Sequence, residues 1–323
     1  MKDLSISLKQ LRYYLVTARH ESLRQAAREL KISQPSLSAQ MQKLEDGLGV
    51  ELFERSRGGV TLTPFGRELI KQAQQAVNAA EAIVDAANFA TKGPSGTFRL
   101  GASPTIGPYA LPWILPEVHK EFTSVKFFVR EEVPDSLAEG LYSGRYDLIL
   151  TTLPLKEQGI TIMPLFREPL YLVMNKSHPL ATQRSVDGDQ LEGVEILTLE
   201  EHHLLFRQVE DLCKQFKAEL LRDYEGTSLD SIRQMVYMEM GVAFLPSLYI
   251  RSEILDRDEL SVHSITGEKI ERMHALVWRD SSPLRGFYRE LGGFIQGEIE
   301  RQFGGDVGIL QTERPGVKGC QRW

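Results

Sequence analysis

The chain has only two cysteines, Cys213 and Cys320, among its 323 residues. Two cysteines cannot build a disulfide framework, and their spacing offers no paired ligands for zinc. No segment approaches the roughly 18 to 20 uninterrupted apolar residues that a transmembrane helix needs, and the N-terminus lacks the apolar core of a signal peptide. We therefore expect a cytoplasmic protein that has no membrane partner.

The sequence also lacks the motifs that identify common classes of enzyme. It contains no HExxH, GxSxG or P-loop spacing. His202 and His203 are adjacent, so on a strand they would point to opposite faces, and we interpret them as hydrogen-bonded or solvent-facing histidines without a catalytic role. The sequence therefore predicts a protein that is not an enzyme, with no catalytic residues, no metal site and no cofactor.

Basic residues are fewer than acidic residues, and they are unevenly distributed along the chain. The net charge is −6, but residues 1–63 contain ten Lys and Arg against seven Asp and Glu, so the rest of the chain carries −9. Only the N-terminal part is therefore suited to the phosphates of nucleic acid. The length predicts two or three domains of ordinary globular composition.

The N-terminal sixty residues predict short helices with their own start signals. Ser22 and Ser33 are candidate N-caps. Pro35 follows Ser33 closely, and the first turn of a helix tolerates proline. The helix after Ser33 has a buried stripe made of Leu37, Met41, Leu44 and Leu48. Its other face is small, polar and uncharged to basic, as entry into a DNA major groove requires, although a merely solvated face is the alternative. That face comprises Pro35, Ser36, Ala39, Gln42 and Lys43, with Gln34 and Ser38 at its margins.

The next segment, "FERSRGGVTLTPFG", predicts a hairpin. A short strand, a turn at Gly58 and Gly59 and a returning strand would form a wing, with Arg55 and Arg57 placed to meet backbone phosphates. A helix-turn-helix combined with a wing is a winged DNA-binding domain, and this combination favours double-stranded DNA as the partner.

A long helix is predicted from residue 64 to residue 92. It starts with proline, has no glycine after Gly66, and carries one apolar stripe over about 28 residues. A single helix of this kind is only marginally stable by itself. The segment "TKGPSGT" separates it from the C-terminal region, so we expect two copies of the chain to pair along this helix. The stripe consists of Leu69, Ala73, Ala76, Ala80, Ile83, Val84 and Ala87.

Strand and helix patterns alternate in the remaining two hundred residues, which predicts an open α/β architecture long enough for two lobes. Ligands of such folds bind beyond the carboxyl ends of the strands. Hydroxyl side chains collect at these predicted ends, which favours a small polar or anionic effector, although each of them alone could be a helix cap. These side chains belong to Ser103, Thr105, Thr151, Thr152, Thr227 and Ser228.

The segment from "SLRQAAREL" through "SQPSLSAQMQKLEDGLGVELFERSRGGVTLTPFG" resembles the N-terminal signature of the LysR-type transcriptional regulators nearly position by position. Many members carry arginine after the serine of "SQPxLS", where this chain has Ala39. The resemblance implies that Gln34, Pro35 and Ser38 contribute more of the base contacts. Lys43 and the two wing arginines would contact phosphates.

The resemblance extends to the C-terminal region and implies a two-lobed effector-binding domain similar to periplasmic binding proteins. It also implies a homodimer or homotetramer, a pseudo-palindromic DNA site and RNA polymerase as a further partner. Segments such as "SPTIGPYALPWILP" and "PLFREPLYLVMNKSHPLA" look like the OxyR branch of hydrogen peroxide-inducible activators. In that branch a reactive cysteine comes directly after a histidine, and a second cysteine lies nine residues further on.

This pattern places the histidine of that branch on His203, its reactive cysteine on Leu204 and its second cysteine on Cys213. The thiolate that peroxide would attack is therefore absent. Leu204 and Phe206 would instead give the effector cleft an apolar wall, beside His203.

We predict an α/β protein with a winged helix-turn-helix over 8–65, a linker helix over 66–92, an effector-binding domain over 97–304 and a flexible tail over 305–323. Lobe I would comprise about 97–167 and 270–304, and lobe II about 168–269. The predicted function is DNA-bound regulation controlled by an effector in the cleft. A redox-responsive regulator acting through Cys213 and a ligand-independent DNA-binding protein are the alternatives.

Overall fold

The computed structural model describes residues 6–56, 59–92, 94–155, 158–254 and 259–309. These residues separate into two compact units. The first contains the chain up to the end of the long helix together with Tyr142–Arg145, and the second contains the remainder from Pro94. Among the described residues, none of the helices combines the length and the apolar character that crossing a bilayer would require.

The first unit begins with three helices and a two-stranded sheet. Ser22 accepts a hydrogen bond from the backbone N–H of Gln25, and Ser33 from that of Ser36, so both predicted N-caps are confirmed. The predicted stripe is confirmed as well, since its first three members are almost fully buried. The elements are α1 (Leu8–His20), α2 (Leu23–Glu29), α3 (Gln34–Leu48), β1 (Phe53–Ser56) and β2 (Gly59–Leu62).

The long helix α4 spans Pro64–Lys92. Its first half packs into the core of the first unit, where Ala73 and Val77 are buried beside residues of α1. Tyr14 of α1 donates a hydrogen bond to the backbone carbonyl of Gly66, which anchors the start of α4. Further along, Ile83 is 72% exposed and Val84 is 60% exposed.

The second unit is a mixed α/β structure in which strands and helices alternate. Its strands are β3 (Gly96–Ala102), β4 (Val125–Glu131), β5 (Leu148–Thr152), β6 (Ile160–Asn175), β7 (Glu195–Leu199), β8 (Glu219–Gly226), β9 (Val242–Pro246), β10 (Leu260–His263), β11 (Glu271–Arg279) and β12 (Gly308–Ile309). Its helices are α5 (Gly107–Glu121), α6 (Pro134–Tyr142), α7 (Leu204–Phe216), α8 (Leu229–Tyr237), α9 (Ser247–Glu253) and α10 (Arg285–Phe303).

The strands form two lobes that share β6. The order along the sheet is β4-β3-β5-β11-β6-β9-β7-β8, and β10 and β12 also pair with β6. The first part of β6 pairs with β11 in lobe I, and its second part pairs with β9 and β10 in lobe II. Strand β6 therefore carries the chain from one lobe to the other, and the predicted two-lobed α/β class is confirmed.

The structure adds detail to this unit and differs from one expectation about it. Helix α7 (Leu204–Phe216) precedes β8, which pairs in parallel with β7. Lys217 ends the helix in a left-handed conformation, a position where glycine would have given the usual signal. The predicted flexible tail from 305 instead starts with a turn that leads into β12, which pairs with Phe166 and Arg167 of β6. Residues 310–323, including Cys320, lie outside the described part.

Candidate DNA-binding surface and effector cavity

The polar face predicted for DNA binding lies on α3. Gln34, Pro35, Ser36, Gln42 and Lys43 are exposed, and Ser38 is half-buried. The stripe on the opposite side of α3 packs into the core, so this face points away from the protein interior. The structure thus brings all six predicted α3 residues to one accessible surface.

The predicted hairpin is present, with β1 and β2 antiparallel. Arg55 pairs through its backbone with Val60, whereas its side chain and the whole of Arg57 lie outside the described residues. Gly59 has a φ of 142°, and a Cβ there would lie 2.7 Å from the backbone oxygen of Glu21. This close approach needs glycine, and it holds the base of the wing against the end of α1.

A buried carboxylate connects the wing to α3. Oε1 of Glu45 accepts hydrogen bonds from the backbone N–H groups of Leu52 and Phe53, at 2.8 and 3.1 Å. The side chain therefore fixes the entry of the wing relative to the proposed recognition helix. We did not predict this residue from the sequence, because a glutamate in a polar helix carries no local signal of such a role.

A cavity of about 380 Å³ lies in the second unit, where the two lobes meet. Four of the residues predicted to bind an effector line it: Thr105, His203, Thr227 and Ser228. The other lining residues are Pro104, Pro108, Tyr109, Glu131, Leu199, Leu229, Asp230, Ser252 and Glu253. Its volume is within the range of small-molecule sites, which is roughly 300 to 1,000 Å³.

The remaining predicted effector residues lie elsewhere. Ser103 is buried behind the cavity, where its hydroxyl is 3.3 Å from that of Thr105. Thr151 and Thr152 are buried on β5. Leu204 and Phe206, on the first turn of α7, are not among the lining residues. Burial explains the positions of Ser103, Thr151 and Thr152, whereas Phe206 is buried and Leu204 half-buried on α7 without lining the cavity.

A fully buried network supports the cavity from behind. Arg272 donates hydrogen bonds to Thr105 at its Oγ1 and its backbone oxygen, at 2.9 and 2.8 Å, and to Glu168 at 2.9 Å. Glu168 also accepts from the backbone N–H of Leu248 at 2.9 Å, and Nε2 of His274 lies 2.7 Å from it. These contacts join both lobes at the point where β6 crosses between them.

Within this network, the positive charge of Arg272 compensates the negative charge of Glu168. Although burial opposes ionisation of Glu168, the charge of Arg272 and the hydrogen bond from His274 lower its pKa overall. Burial lowers the pKa of His274, which favours the neutral imidazole. Glu168 and Arg272 are far apart in the sequence, so the sequence alone gave no sign that they pair in a buried network.

The segment that resembles a peroxide sensor has no reactive thiol. Cys213 is a free, buried cysteine on α7. Burial, and then the negative charge of Glu210, raise its pKa to about 11. A thiol with this pKa is protonated at neutral pH and is a poor nucleophile. Leu204, the N-terminal residue of α7, has no sulfur at all.

The charge of the cavity lining distinguishes between the polar and the anionic effector that the sequence left open. Its described lining contains three carboxylates, those of Glu131, Asp230 and Glu253, and neither lysine nor arginine. The hydroxyl groups are present as expected, but they are surrounded by negative charge. An anionic effector is therefore disfavoured at this wall, and only the polar part of the expectation remains.

Comparison with known proteins places the chain in a family. Residues 8–67 match the family described as bacterial regulatory helix-turn-helix protein, lysR family. Residues 91–299 match the LysR substrate binding domain. The chain belongs to the LysR family. It is a DNA-binding transcriptional regulator of the LysR type, as its winged domain and two-lobed domain had indicated.

Similar LysR regulators are peroxide-inducible activators. The chain is 33% identical to the hydrogen peroxide-inducible genes activator of Dickeya chrysanthemi over 295 residues, covering 91% of this chain and 96% of that protein. It is 32% identical to the DNA-binding transcriptional dual regulator OxyR of Escherichia coli, covering 92% and 97%. The OxyR resemblance drawn from the sequence is thus confirmed.

Solved OxyR structures have the same architecture. A full-length OxyR variant from Pseudomonas aeruginosa matches with a TM-score of 0.75 and 32% identity, covering 90% of this chain and 95% of that one. The oxidized form of Corynebacterium glutamicum OxyR matches with a TM-score of 0.57 and 30% identity, covering 93% and 94%. The similarity therefore extends over the winged domain, the linker helix and both lobes.

Proposed function

We propose that this LysR regulator changes its DNA-bound geometry when a small molecule binds reversibly in the cavity between its lobes. The observation that supports this is the composition of the cavity wall. Thr105 and Glu131 come from lobe I, whereas His203 and Ser228 come from lobe II. A ligand that contacts both walls would favour one arrangement of the lobes over another, which is a shift of population.

Thiol oxidation is the second candidate, because the similar proteins are described as hydrogen peroxide-inducible. Two features of this chain argue against it. Leu204 stands at the position of the reactive cysteine, and Cys213 is buried with a raised pKa. We infer that reversible ligand binding has replaced cysteine chemistry as the signal.

We also propose that two chains pair along α4, and that α3 enters the major groove of the DNA. In a single chain Ile83 and Val84 are exposed, although they continue the apolar stripe of α4. A groove between α1 and α4, lined in part by Leu8, Val77 and Val84, could receive apolar side chains of a second copy. Burial of such a stripe is what normally stabilises a long single helix.

The effector proposal can be tested with the full-length protein. Metabolites and inorganic ions are screened by thermal shift, since a ligand that binds the native state raises its melting temperature. Each ligand that binds is then tested for its effect on the DNase I footprint. We expect a binding ligand to change the footprint length or the hypersensitive sites.

Matched variants locate the effect. Thr227 is exposed and lines the cavity, so the tryptophan of Thr227→Trp should fill the cavity and abolish both the thermal shift and the footprint change. Asp223→Trp, on β8 and away from the lining, should keep both responses. Footprints that stay unchanged with every binding ligand would contradict the proposal. A response to low peroxide that the parent shows and a Cys213→Ser, Cys320→Ser variant lacks would establish the thiol switch instead.

A further inference from the structure

The cavity between the lobes has a negatively charged wall, and two of its three carboxylates have no basic partner among the residues that the structure describes. Asp230 is paired: it lies 3.5 Å from the guanidinium of Arg233 and accepts a hydrogen bond from Tyr249 at 3.0 Å. Within the described parts of the chain, neither Glu131 nor Glu253 forms an ion pair. Glu253 accepts a hydrogen bond from the hydroxyl of Ser252 at 2.8 Å, but neither carboxylate is paired with a described basic side chain.

The three carboxylates of the cavity lining all influence the hydroxyl group of Tyr109. Tyr109 lines the cavity, and its pKa is raised first by burial and then by the negative charges of Asp230, Glu253 and Glu131. Arg272 acts on the same hydroxyl in the opposite direction, but its charge is matched by Glu168 at 2.8 Å. The three carboxylates therefore all lie close enough to act on this hydroxyl, while burial raises the pKa of Glu131 itself.

Helix N-termini would normally oppose this conclusion, because they attract anions. Two helices start at the cavity, and both are already matched by the protein's own carboxylates. A Cβ on Gly107, the first residue of α5, would lie 3.1 Å from Oε1 of Glu131, so that carboxylate packs against the start of the helix. Asp230 lies in the first turn of α8. A helix N-terminus carries only about half a unit of positive charge, so a carboxylate beside it satisfies the helix end and still leaves net negative charge.

An independent observation indicates that the site is built for a ligand. The side chain of His203 is only 5% exposed and lines the cavity. Its Nδ1 is buried and has no hydrogen-bond partner, and its Nε2 lies 3.9 Å from the carboxylate of Glu200. Burial lowers the pKa of this imidazole, which favours its neutral form. A neutral imidazole nitrogen can accept a hydrogen bond from a bound donor.

The arrangement does not fit a metal ion. In the described chain, no three His, Cys, Asp or Glu side chains lie close enough together to hold one. The lining instead combines three carboxylates with the apolar side chains of Pro104, Pro108 and Leu199. Such a surface fits a short apolar stem that carries ammonium or guanidinium groups.

We propose that the cavity binds a small organic cation, with Glu131 and Glu253 as its counterions, His203 as an acceptor and the prolines and Leu199 packing on its stem. This inference rests on the proposed function, because the cavity is the effector site named there. It adds the chemical class of the effector.

Three four-carbon probes of matched length test the charge preference on the full-length protein. These are 1,4-diaminobutane, 1,4-butanediol and succinate, and binding is measured by isothermal titration calorimetry, with magnesium chloride as a fourth probe. We expect 1,4-diaminobutane to bind and the diol, the dicarboxylate and magnesium not to bind. Binding should weaken as salt increases, because exposed charges are screened. Binding of succinate or of magnesium in preference to the diamine would overturn the inference.

Charge-removing variants locate the site. Glu131→Gln and Glu253→Gln should each weaken diamine binding roughly ten-fold or more, since a charge-assisted contact is lost. Glu290→Gln, an exposed carboxylate on α10 away from the cavity, should bind like the parent. Unchanged affinity in both cavity variants would refute the assignment, and Thr227→Trp, which keeps all charges, should block binding sterically.

The two proposals fail in distinguishable ways. A diamine that binds at Glu131 and Glu253 without changing the DNase I footprint supports the ligand class and contradicts effector control. A neutral or anionic ligand that changes the footprint, and that Thr227→Trp blocks, supports effector control and overturns the cationic class.

Discussion

The two units of this regulator present their functional residues in different ways. The first unit carries them on the outside of α3, where residues 34–43 are consecutive in the sequence. The second unit assembles its cavity from five separate segments, and a buried network behind the wall holds it in place. The first surface should therefore tolerate single substitutions without unfolding, whereas the second depends on the interior of its unit.

The network behind the cavity gives the largest expected effect. Glu168→Ala leaves the guanidinium of Arg272 buried without its partner, and breaking a buried pair in this way costs about 3 to 5 kcal/mol. Trp113 and Trp278 lie in the second unit and the first unit has no tryptophan, so urea unfolding monitored by tryptophan fluorescence reports on the correct unit. Glu168→Gln keeps an acceptor for Leu248 and should cost less.

The same network predicts a pH dependence. The folded-state pKa of His274 lies below its ordinary value, so the unfolded chain binds more protons once the pH falls below about 6.5. The folded-state pKa of Glu168 is also lowered, which extends the loss of stability further into acid. Stability of the second unit should thus decrease as pH falls from 7 to 4. A flat profile, or equal stabilities for the parent and Glu168→Ala, would contradict this account.

An intermediate effect is expected at the exposed stripe of α4. Ile83→Asp places a charge where we propose that a second chain packs, and a symmetric interface carries the change twice. The dissociation constant should rise on the order of 100-fold, about 2.7 kcal/mol. Sedimentation equilibrium measures the change, and Gln75→Asp, exposed on the same helix but outside the stripe, is the control. The same mass in the Ile83 variant and the parent would rule out pairing through this stripe.

The difference between the units also explains what the sequence could predict. The N-caps at Ser22 and Ser33 and the stripe on α3 depend on residues within one or two helical turns, so local patterns were sufficient. Thr105, Thr227 and Ser228 were found because each stands at the end of a strand or the start of a helix, whereas His203 was found through the resemblance to the OxyR branch. The carboxylates of the cavity wall were not predicted. Glu131 and Glu253 are 122 positions apart in the sequence, and only the fold brings both of them to the cavity.

The same limit explains the missed interior contacts. Glu168 and Arg272 are 104 residues apart and lie within apolar strands, where a charged residue could equally have faced solvent. Glu45 looked like an ordinary surface position of α3 until β1 was placed beside it. Local propensity therefore identified the elements and the polar ends, whereas charge pairing and burial required the tertiary structure.

The smallest effects are expected on the DNA-facing side of α3, and they should divide into two kinds. Gln34 is exposed at the start of the helix, and Gln34→Ala should change the preference for one base pair by about 1 to 3 kcal/mol. Lys43→Ala should weaken binding to all sequences similarly and reduce the salt slope by about 1, because one phosphate contact is lost. Lys176→Ala removes an exposed charge from the second unit and serves as the control.

Fluorescence anisotropy with a set of single-base operator variants, repeated at several salt concentrations, separates these outcomes. All three variants should keep the thermal stability of the parent, because the substituted side chains are exposed and none of them belongs to the core. A change of base preference in the lysine variant, together with a uniform loss in the glutamine variant, would reverse the assignment of the two contacts. The wing arginines would then have to supply the phosphate contacts, and α3 would lie in the groove with Lys43, rather than Gln34, toward the bases.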